Sequence, residues 1–211
     1  MSPKSVSVAL LLLWLVLSVV VRMGLHRRAT GSSGVTRFSA RPGSVEWTGG
    51  VLFVVSLLTC GVGVCVAPAS NWSVTSVVGV AIAMVGVVGT FMSQSSMGSS
   101  WRIGVDPSER TVLRTDGLFR LVRNPIFTAM ALTLVGFAVV SSHWLVIVGV
   151  LLFVLSIEMQ VRFVEEPYLA MAHGEAFASY ASNVGRFIPR VGLCRPTYLA
   201  NRTSAMTHDA T

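Results

Sequence analysis

Long aliphatic runs divide this chain, and polar residues are confined between them. Val6 to Val21 is almost unbroken aliphatic sequence and closes on Arg22. Gly50 to Ala67 is a second run, ending at Pro68, and Val74 to Met92 is a third, rich in Val and Gly. Ile126 to Val140 and Trp144 to Ile157 are the fourth and fifth, parted only by Ser141, Ser142 and His143. That connection fits only a tight helical hairpin. A helix needs about 20 apolar residues to cross the hydrocarbon core, within a range of roughly 17–25. The pattern therefore predicts an all-α integral membrane bundle of about five transmembrane helices, followed by a cytosolic C-terminal helical segment. The first run reads as a retained span, because no A-x-A cleavage pattern follows it.

Composition agrees with this reading and removes one alternative. Hydrophobic residues make up 53% of the chain and charged residues 12%. A soluble domain carries about twice that charged share, roughly 25%. The mean hydropathy is +0.70. A net charge of +7 does not signal nucleic acid here, because the basic residues are dealt out between apolar runs. Cys60, Cys65 and Cys194 show no ligand spacing with the four scattered histidines. No metal site is expected from them.

The arginines are distributed one-sidedly. Arg22, Arg27, Arg28, Arg37 and Arg41 follow the first run. Arg102, Arg110, Arg114, Arg120 and Arg123 separate the third from the fourth, and Arg162, Arg186, Arg190, Arg195 and Arg202 follow the fifth. The opposite face holds Lys4 alone. Five crossings put all three arginine-rich segments on one side. The excess of positive charge on cytoplasmic segments then makes that side cytosolic and the N-terminus external. Small residues four apart, such as Gly61 and Cys65 or Gly79 and Ala83, suit either a dimerisation face or close packing inside the bundle, and the packing reading is preferred.

Polar residues at membrane depth are costly, so two places are informative. One is the connection from Gln94 to Pro125. It holds an Asp116-Gly117 turn signal and an Asn124-Pro125 helix start, with Asn as N-cap and Pro at the first helical position. Such a start, near Arg120 and Arg123, offers backbone N–H groups to a carboxylate or phosphate. It equally fits an ordinary capped helix with arginines at the head groups. The other place is the end of the fifth run. Glu158, Arg162 and Glu165 fall on one stripe of an α-helix, with Glu166 at its edge. Three carboxylates against one arginine predict surplus negative charge, which a cationic ligand would relieve.

These places carry a family resemblance. Asp116-Gly117-Leu118-Phe119-Arg120-x-x-Arg123-Asn124-Pro125-Ile126-Phe127, a helical hairpin, then Glu165-Glu166-x-x-Leu169, Gly174, Tyr180, Arg186 and Pro189 resemble the isoprenylcysteine carboxyl methyltransferase and phospholipid methyltransferase family. The likeness covers about residues 94–190. It implies a membrane enzyme that takes a methyl group from S-adenosylmethionine (SAM), with a lipophilic acceptor entering between helices. It divides the chain into three membrane helices with a basic cytosolic loop (1–93), a catalytic region (94–190) and a polar tail without fixed structure (191–211).

By this resemblance Arg162 and Glu165 are the expected catalytic residues. Arg123, Asn124, Pro125, Phe127, Glu165, Glu166, Tyr168 and Tyr180 are the expected cofactor contacts. SAM needs an anion site, a cation site and an apolar wall. Arg123 with the helix start suits the first, Glu165 and Glu166 the second, and Phe127, Phe163 and Tyr168 the third. Asn124 stands where the family has histidine, Phe127 where it has tyrosine, and Phe177 where it has the first tyrosine of the later segment. Asn124 cannot titrate near neutral pH, so it is expected to bind rather than act as a base. Trp101-Arg102-Ile103-Gly104 is expected to brace the acceptor side. The expected acceptor is a carboxylate or amine of a lipophilic molecule, with no nucleic acid and no required protein partner. The alternatives are an NADPH-dependent sterol-type membrane reductase, or a non-catalytic protein of the same fold.

Overall fold

The computed structural model describes residues 1–31, 40–98 and 112–194. Arg37, Arg102, Arg110, Arg195, Arg202 and the Trp101–Gly104 element lie outside the described residues, as does the tail beyond 194. The first helix is a single rod in three parts: α1 (Pro3–Leu15), a π-helical stretch (Val16–Val21) and α2 (Arg22–Thr30). Then come α3 (Val45–Val66), α4 (Val74–Ser96), a 3-10 turn (Gly117–Arg120), α5 (Pro125–Ser141) and α6 (Trp144–Gln160). A second π-helical stretch (Val161–Glu165) leads into α7 (Glu166–Asn183). Four helices are long and apolar enough to cross a membrane, and α5 is a shorter apolar helix of 17 residues. That length is the lower end of what spans the hydrocarbon.

Local chemistry sets the helix starts. Ser2 accepts from the Ser5 amide ahead of Pro3, and Ser44 accepts from the Trp47 amide. Ser73 and Ser76 form a reciprocal capping box, so two otherwise unpaired amides find partners. At the hairpin, Ser142 adopts a left-handed conformation and His143 caps α6 through its ring. The first run does not end at Arg22 as its hydropathy suggests. The helix continues to Thr30, where Gly31, at φ +77°, terminates it.

Within the bundle, α4 packs along α5 and α3 along α6, both through small residues. A Cβ added at Gly136 would lie 2.4 Å from the Ala83 amide, and one at Gly86 2.4 Å from the Thr133 amide. At the α3–α6 contact, a Cβ on Gly149 would meet Cys60 Sγ at 2.4 Å and one on Gly63 the Val146 amide at 2.8 Å. Gly79 and Ala83 thus serve packing within the bundle. Phe137, Phe153, Leu134, Val146 and Trp14 fill the interior. Leu12, Leu58, Val85 and Leu151 are among the large apolar side chains facing outward, as lipid-facing positions do.

The pairings also give relative direction. Gly49 meets Gln160 and Gly63 meets Val146, so α3 and α6 are antiparallel. Gly79 meets Val140 and Gly86 meets Ala129, so α4 and α5 are antiparallel too. Trp14, Ser18 and Arg22 bond to Thr90, Gln94 and Gly98 in turn, so the first rod and α4 are parallel. The end of the first rod, the start of α3, the end of α4, the start of α5 and the end of α6 therefore share one face. All the described arginine-bearing segments emerge there.

Candidate functional site: an arginine–glutamate knot and an unpaired carboxylate

On that shared face, the start of α5 meets the start of α7. Pro125 occupies the first turn of α5 and Asn124 the N-cap position, but the Asn124 side chain does not cap. Its Nδ2 instead donates to the Arg186 carbonyl at 3.3 Å. That carbonyl belongs to a strap, residues 184–194, which folds back across the helix start. The Arg123 and Asn124 amides donate to the carbonyls of Gly185 (2.8 Å) and Arg186 (3.1 Å), and Val122 bridges to Gly185. Thr128 Oγ1 donates to the Phe187 carbonyl at 2.9 Å. The Cys194 amide donates to the Ala181 carbonyl. The expected tail boundary at 191 therefore falls inside a folded segment.

Glu166 lies at the centre of this closure, 5% exposed. Its Oε1 accepts from Arg123 Nη2 at 2.6 Å and from Arg186 Nε at 2.7 Å, and its Oε2 from Arg186 Nη2 at 2.8 Å. Burial alone would raise the Glu166 pKa, but the hydrogen bonds and charges of Arg186 and Arg123 outweigh it and hold the carboxyl below its usual range. Arg123 also donates through Nη1 to the carbonyls of Ala181 (3.0 Å) and Val184, and through Nη2 to the Gly192 carbonyl (3.0 Å). A buried pair of this kind holds only when its remaining donors and acceptors are satisfied. Here the strap's carbonyls satisfy most of them.

Two of the expected cofactor contacts are thus engaged within the protein itself. Both terminal nitrogens of Arg123 are engaged by the protein, so Arg123 is not an open anion site. Glu166 is neutralised by two arginines, so it is not an open cation site. The expected charge surplus also disappears. Glu158 pairs with Arg162 and lies 3.9 Å from Arg186. Three arginines, Arg123, Arg162 and Arg186, thus meet two of the three carboxylates, Glu158 and Glu166. The stripe of Glu158, Arg162 and Glu165 assumed an α-helical register, and the π-helical stretch Val161–Glu165 rephases the helix at that point.

Glu165 differs from its neighbour. It is half-buried, and among the described residues its carboxylate makes no hydrogen bond and no ion pair. About twenty residues of helix from Trp144 cover the hydrocarbon thickness, so Glu165 lies beyond the spanning part of α6. Burial, aided by the charge of Glu166, pushes its carboxyl up to about 7. The remaining expected residues fall around it unevenly. Tyr180 donates to the Phe119 carbonyl at 2.6 Å, tying α7 to the 3-10 turn. Burial pushes that hydroxyl up to about 12, so it remains a donor. Phe127 turns toward the core, its ring 6.4 Å from that of Phe53 in an edge-on arrangement. Phe163 is exposed, and Tyr168 is half-buried. Arg162 is half-exposed and held by Glu158.

Sequence reasoning missed the part played by Arg186. Its place after Tyr180 belongs to the resembling pattern, yet nothing local announces that it neutralises a glutamate twenty residues earlier. Cys194, whose Sγ lies 3.5 Å from Arg123 Nη2 and 3.8 Å from Glu166 Oε2, had no sequence signal at all.

An all-helical membrane bundle with a charged knot on one face, joining a helix start to a kinked helix after the last span, defines a polytopic membrane protein whose polar centre sits at the membrane surface. Residues 74–176 match the family model for phospholipid methyltransferase. This stretch, from α4 into α7, is a domain of that family of integral membrane methyltransferases. No curated protein and no solved structure matches the chain.

Proposed function

We propose that this protein transfers a methyl group from SAM to a carboxylate or amine of a lipophilic acceptor, in the manner of the isoprenylcysteine carboxyl methyltransferases. The observation that carries the reading is Glu165, a half-buried carboxylate without a hydrogen bond or ion pair among the described residues, next in sequence to the knot's Glu166. A buried carboxylate left unpaired is costly, and a bound cation removes that cost. The methyl donor's sulfonium is such a cation, and its methyl is electrophilic. On transfer the carbon–sulfur bond breaks and the acceptor gains the carbon. A carboxylate acceptor becomes an ester, whereas an amine acceptor also releases a proton.

The chain's residues then have distinct tasks. Glu165 receives the cation, and Arg162, held by Glu158, stands on the same turn. Arg123, Glu166 and Arg186 hold α5, α7 and the strap in fixed relation, because catalysis of this kind depends chiefly on orientation. Arg123 thus acts on the cofactor through position and not as a free anion site. Asn124 and Pro125 set the entry of α5 beside the strap, and Tyr168 and Tyr180 border α7. The arginine-rich face is cytosolic, which puts the N-terminus outside and the active site inside. A lipophilic acceptor reaches it through the membrane.

Titrating the purified protein with SAM and, separately, with NADPH tests the reading. Stabilisation by SAM is expected. Stabilisation by NADPH alone would make the protein a reductase, and silence with both would make it a non-catalytic relative of the fold.

A further inference from the structure

The strap doubles back at a turn whose composition does not suit water. The Val191 amide donates to the Ile188 carbonyl at 3.0 Å and the Arg186 amide to the Val191 carbonyl at 2.8 Å, closing a β-turn over residues 188–191. Turns in water favour Gly, Asn, Asp and Ser beside Pro. Here Ile188 and Val191 stand at the corners, 60% and 57% exposed, and exposed Pro189 and Arg190 form the tip. Arg190 takes φ +63°, in the region that glycine enters most easily. Gly185 lets the turn close tightly. A Cβ added there would lie 2.0 Å from the Ile188 carbonyl oxygen and 2.7 Å from the Arg190 amide. The strap's own backbone thus holds these exposed side chains in place.

The height of the turn follows from α5. That helix has 17 residues and rises about 25 Å at about 1.5 Å per residue. The hydrocarbon core is about 30 Å thick. Joined to α6 through Ser142 and His143, α5 crosses wherever α6 does, so its first turn cannot stand clear of the lipid. The strap is bonded to that first turn. The Arg186 carbonyl accepts from the Asn124 amide, and the Phe187 carbonyl from Thr128 Oγ1 at 2.9 Å. Phe187 also packs against the bundle's core. The side is fixed as well. Thr128, Leu132 and Val135 share one stripe of α5, and Leu132 and Val135 face outward. The strap therefore crosses the lipid-facing stripe of α5 at the edge of the hydrocarbon, and the turn follows Phe187 directly.

We infer that the 188–191 turn is a membrane anchor at the lipid interface. Ile188 and Val191 rest at the edge of the hydrocarbon, and Arg190 reaches the head-group phosphates of the leaflet on the arginine-rich face. Each part has its chemical reason. Aliphatic corners leave water at that depth, while a long arginine keeps its charged end at the surface. A guanidinium matches a phosphate in charge and in geometry. Glycine would suit φ +63° with less strain, and what arginine adds is a cation at the tip. Gly185 and Arg186 carry both the turn and the closure of the knot, so lipid contact at the turn holds the strap against α5. The inference stands apart from the methyl-transfer reading, since it concerns only what the turn's exposed side chains touch.

The test uses full-length protein in phosphatidylcholine nanodiscs, with a nitroxide spin label attached through Val191→Cys. Cys65→Ala removes the exposed native thiol, and Cys60 and Cys194 are buried. Oxygen gathers in hydrocarbon and a nickel chelate stays in water, so their collision rates with the label report its surroundings. A label at Leu151→Cys, on the outward face of α6, supplies the hydrocarbon reference. Oxygen is expected to collide more often than the chelate at Val191, as at Leu151. The reverse order would put the turn in water, and low rates with both probes would put it against protein. Either result overturns the anchor. Ile188→Cys repeats the measurement should a label at one corner disturb the strap. The guanidinium is tested by replacing part of the phosphatidylcholine with phosphatidylglycerol, whose negative charge attracts basic residues at the surface. The unfolding midpoint of the wild type should rise, and Arg190→Glu should shrink that rise. No rise, or an undiminished one in the variant, would take Arg190 off the head groups and overturn the inference.

Discussion

The glycine-lined contacts of the bundle and the charged knot on its face solve the same problem by opposite means. Between α4 and α5, backbone meets backbone at Gly79, Gly86 and Gly136, because lipid supplies no hydrophobic drive to bring helices together. At the face, three guanidiniums and two carboxylates, Glu158 and Glu166, gather instead, and the strap's carbonyls complete much of their bonding. The bundle has no tolerance for added volume, whereas the knot has none for lost charge. Glu165 stands apart from both, a half-buried carboxylate without a hydrogen bond or ion pair among the described residues. That exception is the basis of the proposed cation site.

The largest expected effect comes from breaking the knot. Glu166→Gln leaves Arg123 and Arg186 facing a neutral group, and losing one partner of a buried pair costs roughly 3–5 kcal/mol. Thermal or chemical unfolding should show it, and a loss of SAM affinity with an unchanged unfolding profile would overturn the structural assignment of Glu166. Gly136→Leu should come next. Overpacking costs typically about 1–3 kcal/mol, and the 2.4 Å approach to the Ala83 amide places this site at or above that range. Unfolding midpoints in detergent measure it.

Glu165→Gln should leave the apo protein as stable or more stable above pH 7, because it removes an unpaired buried charge, yet weaken SAM by roughly tenfold or more, since a charge-assisted contact is worth about 1.5–3 kcal/mol. Equal affinity for both proteins would remove Glu165 from the cation site. The pH dependence sharpens the same contrast. Because the folded pKa of Glu165 is raised to about 7, its contribution to apo stability is fully present below about 4.5 and lost as pH rises through 7. SAM affinity should move the other way, weakening by up to about tenfold per unit below pH 7 as the carboxylate becomes protonated. Calorimetry at pH 6, 7 and 8 reads this, and Glu165→Gln should flatten it. The smallest effect is at Asn124. Were the residue a side-chain cap, Asp would replace it without cost. Because its amide donates to the Arg186 carbonyl, Asn124→Asp should instead cost about 1–2 kcal/mol.

Uninterrupted apolar runs made the spans legible from residue order, and small residues at four-residue spacing made their packing legible. Both signals are local. The continuation of the first helix beyond Arg22 was not legible, because hydropathy falls there while helix geometry persists to Gly31. The two π-helical stretches left no mark in the sequence, and the second displaced the glutamates from their expected stripe. Glu165 and Glu166 were both singled out from the sequence as expected site residues. That one is paired and the other is not depends on Arg186 and on a strap that closes through backbone carbonyls, which side-chain patterns do not report.

The parallel seam between the first rod and α4 has a consequence for biosynthesis. Each of its rungs joins residues 76 apart, so the first helix is in the bilayer before its partner exists. At about 5–20 residues per second, the ribosome needs roughly 4–15 s to deliver that partner. Over that interval Ser18 and Arg22 face lipid or the insertion machinery without their α4 contacts. Assembly of this seam therefore begins with a helix that must wait, its end carrying Arg27 and Arg28, until α4 arrives to match it rung by rung.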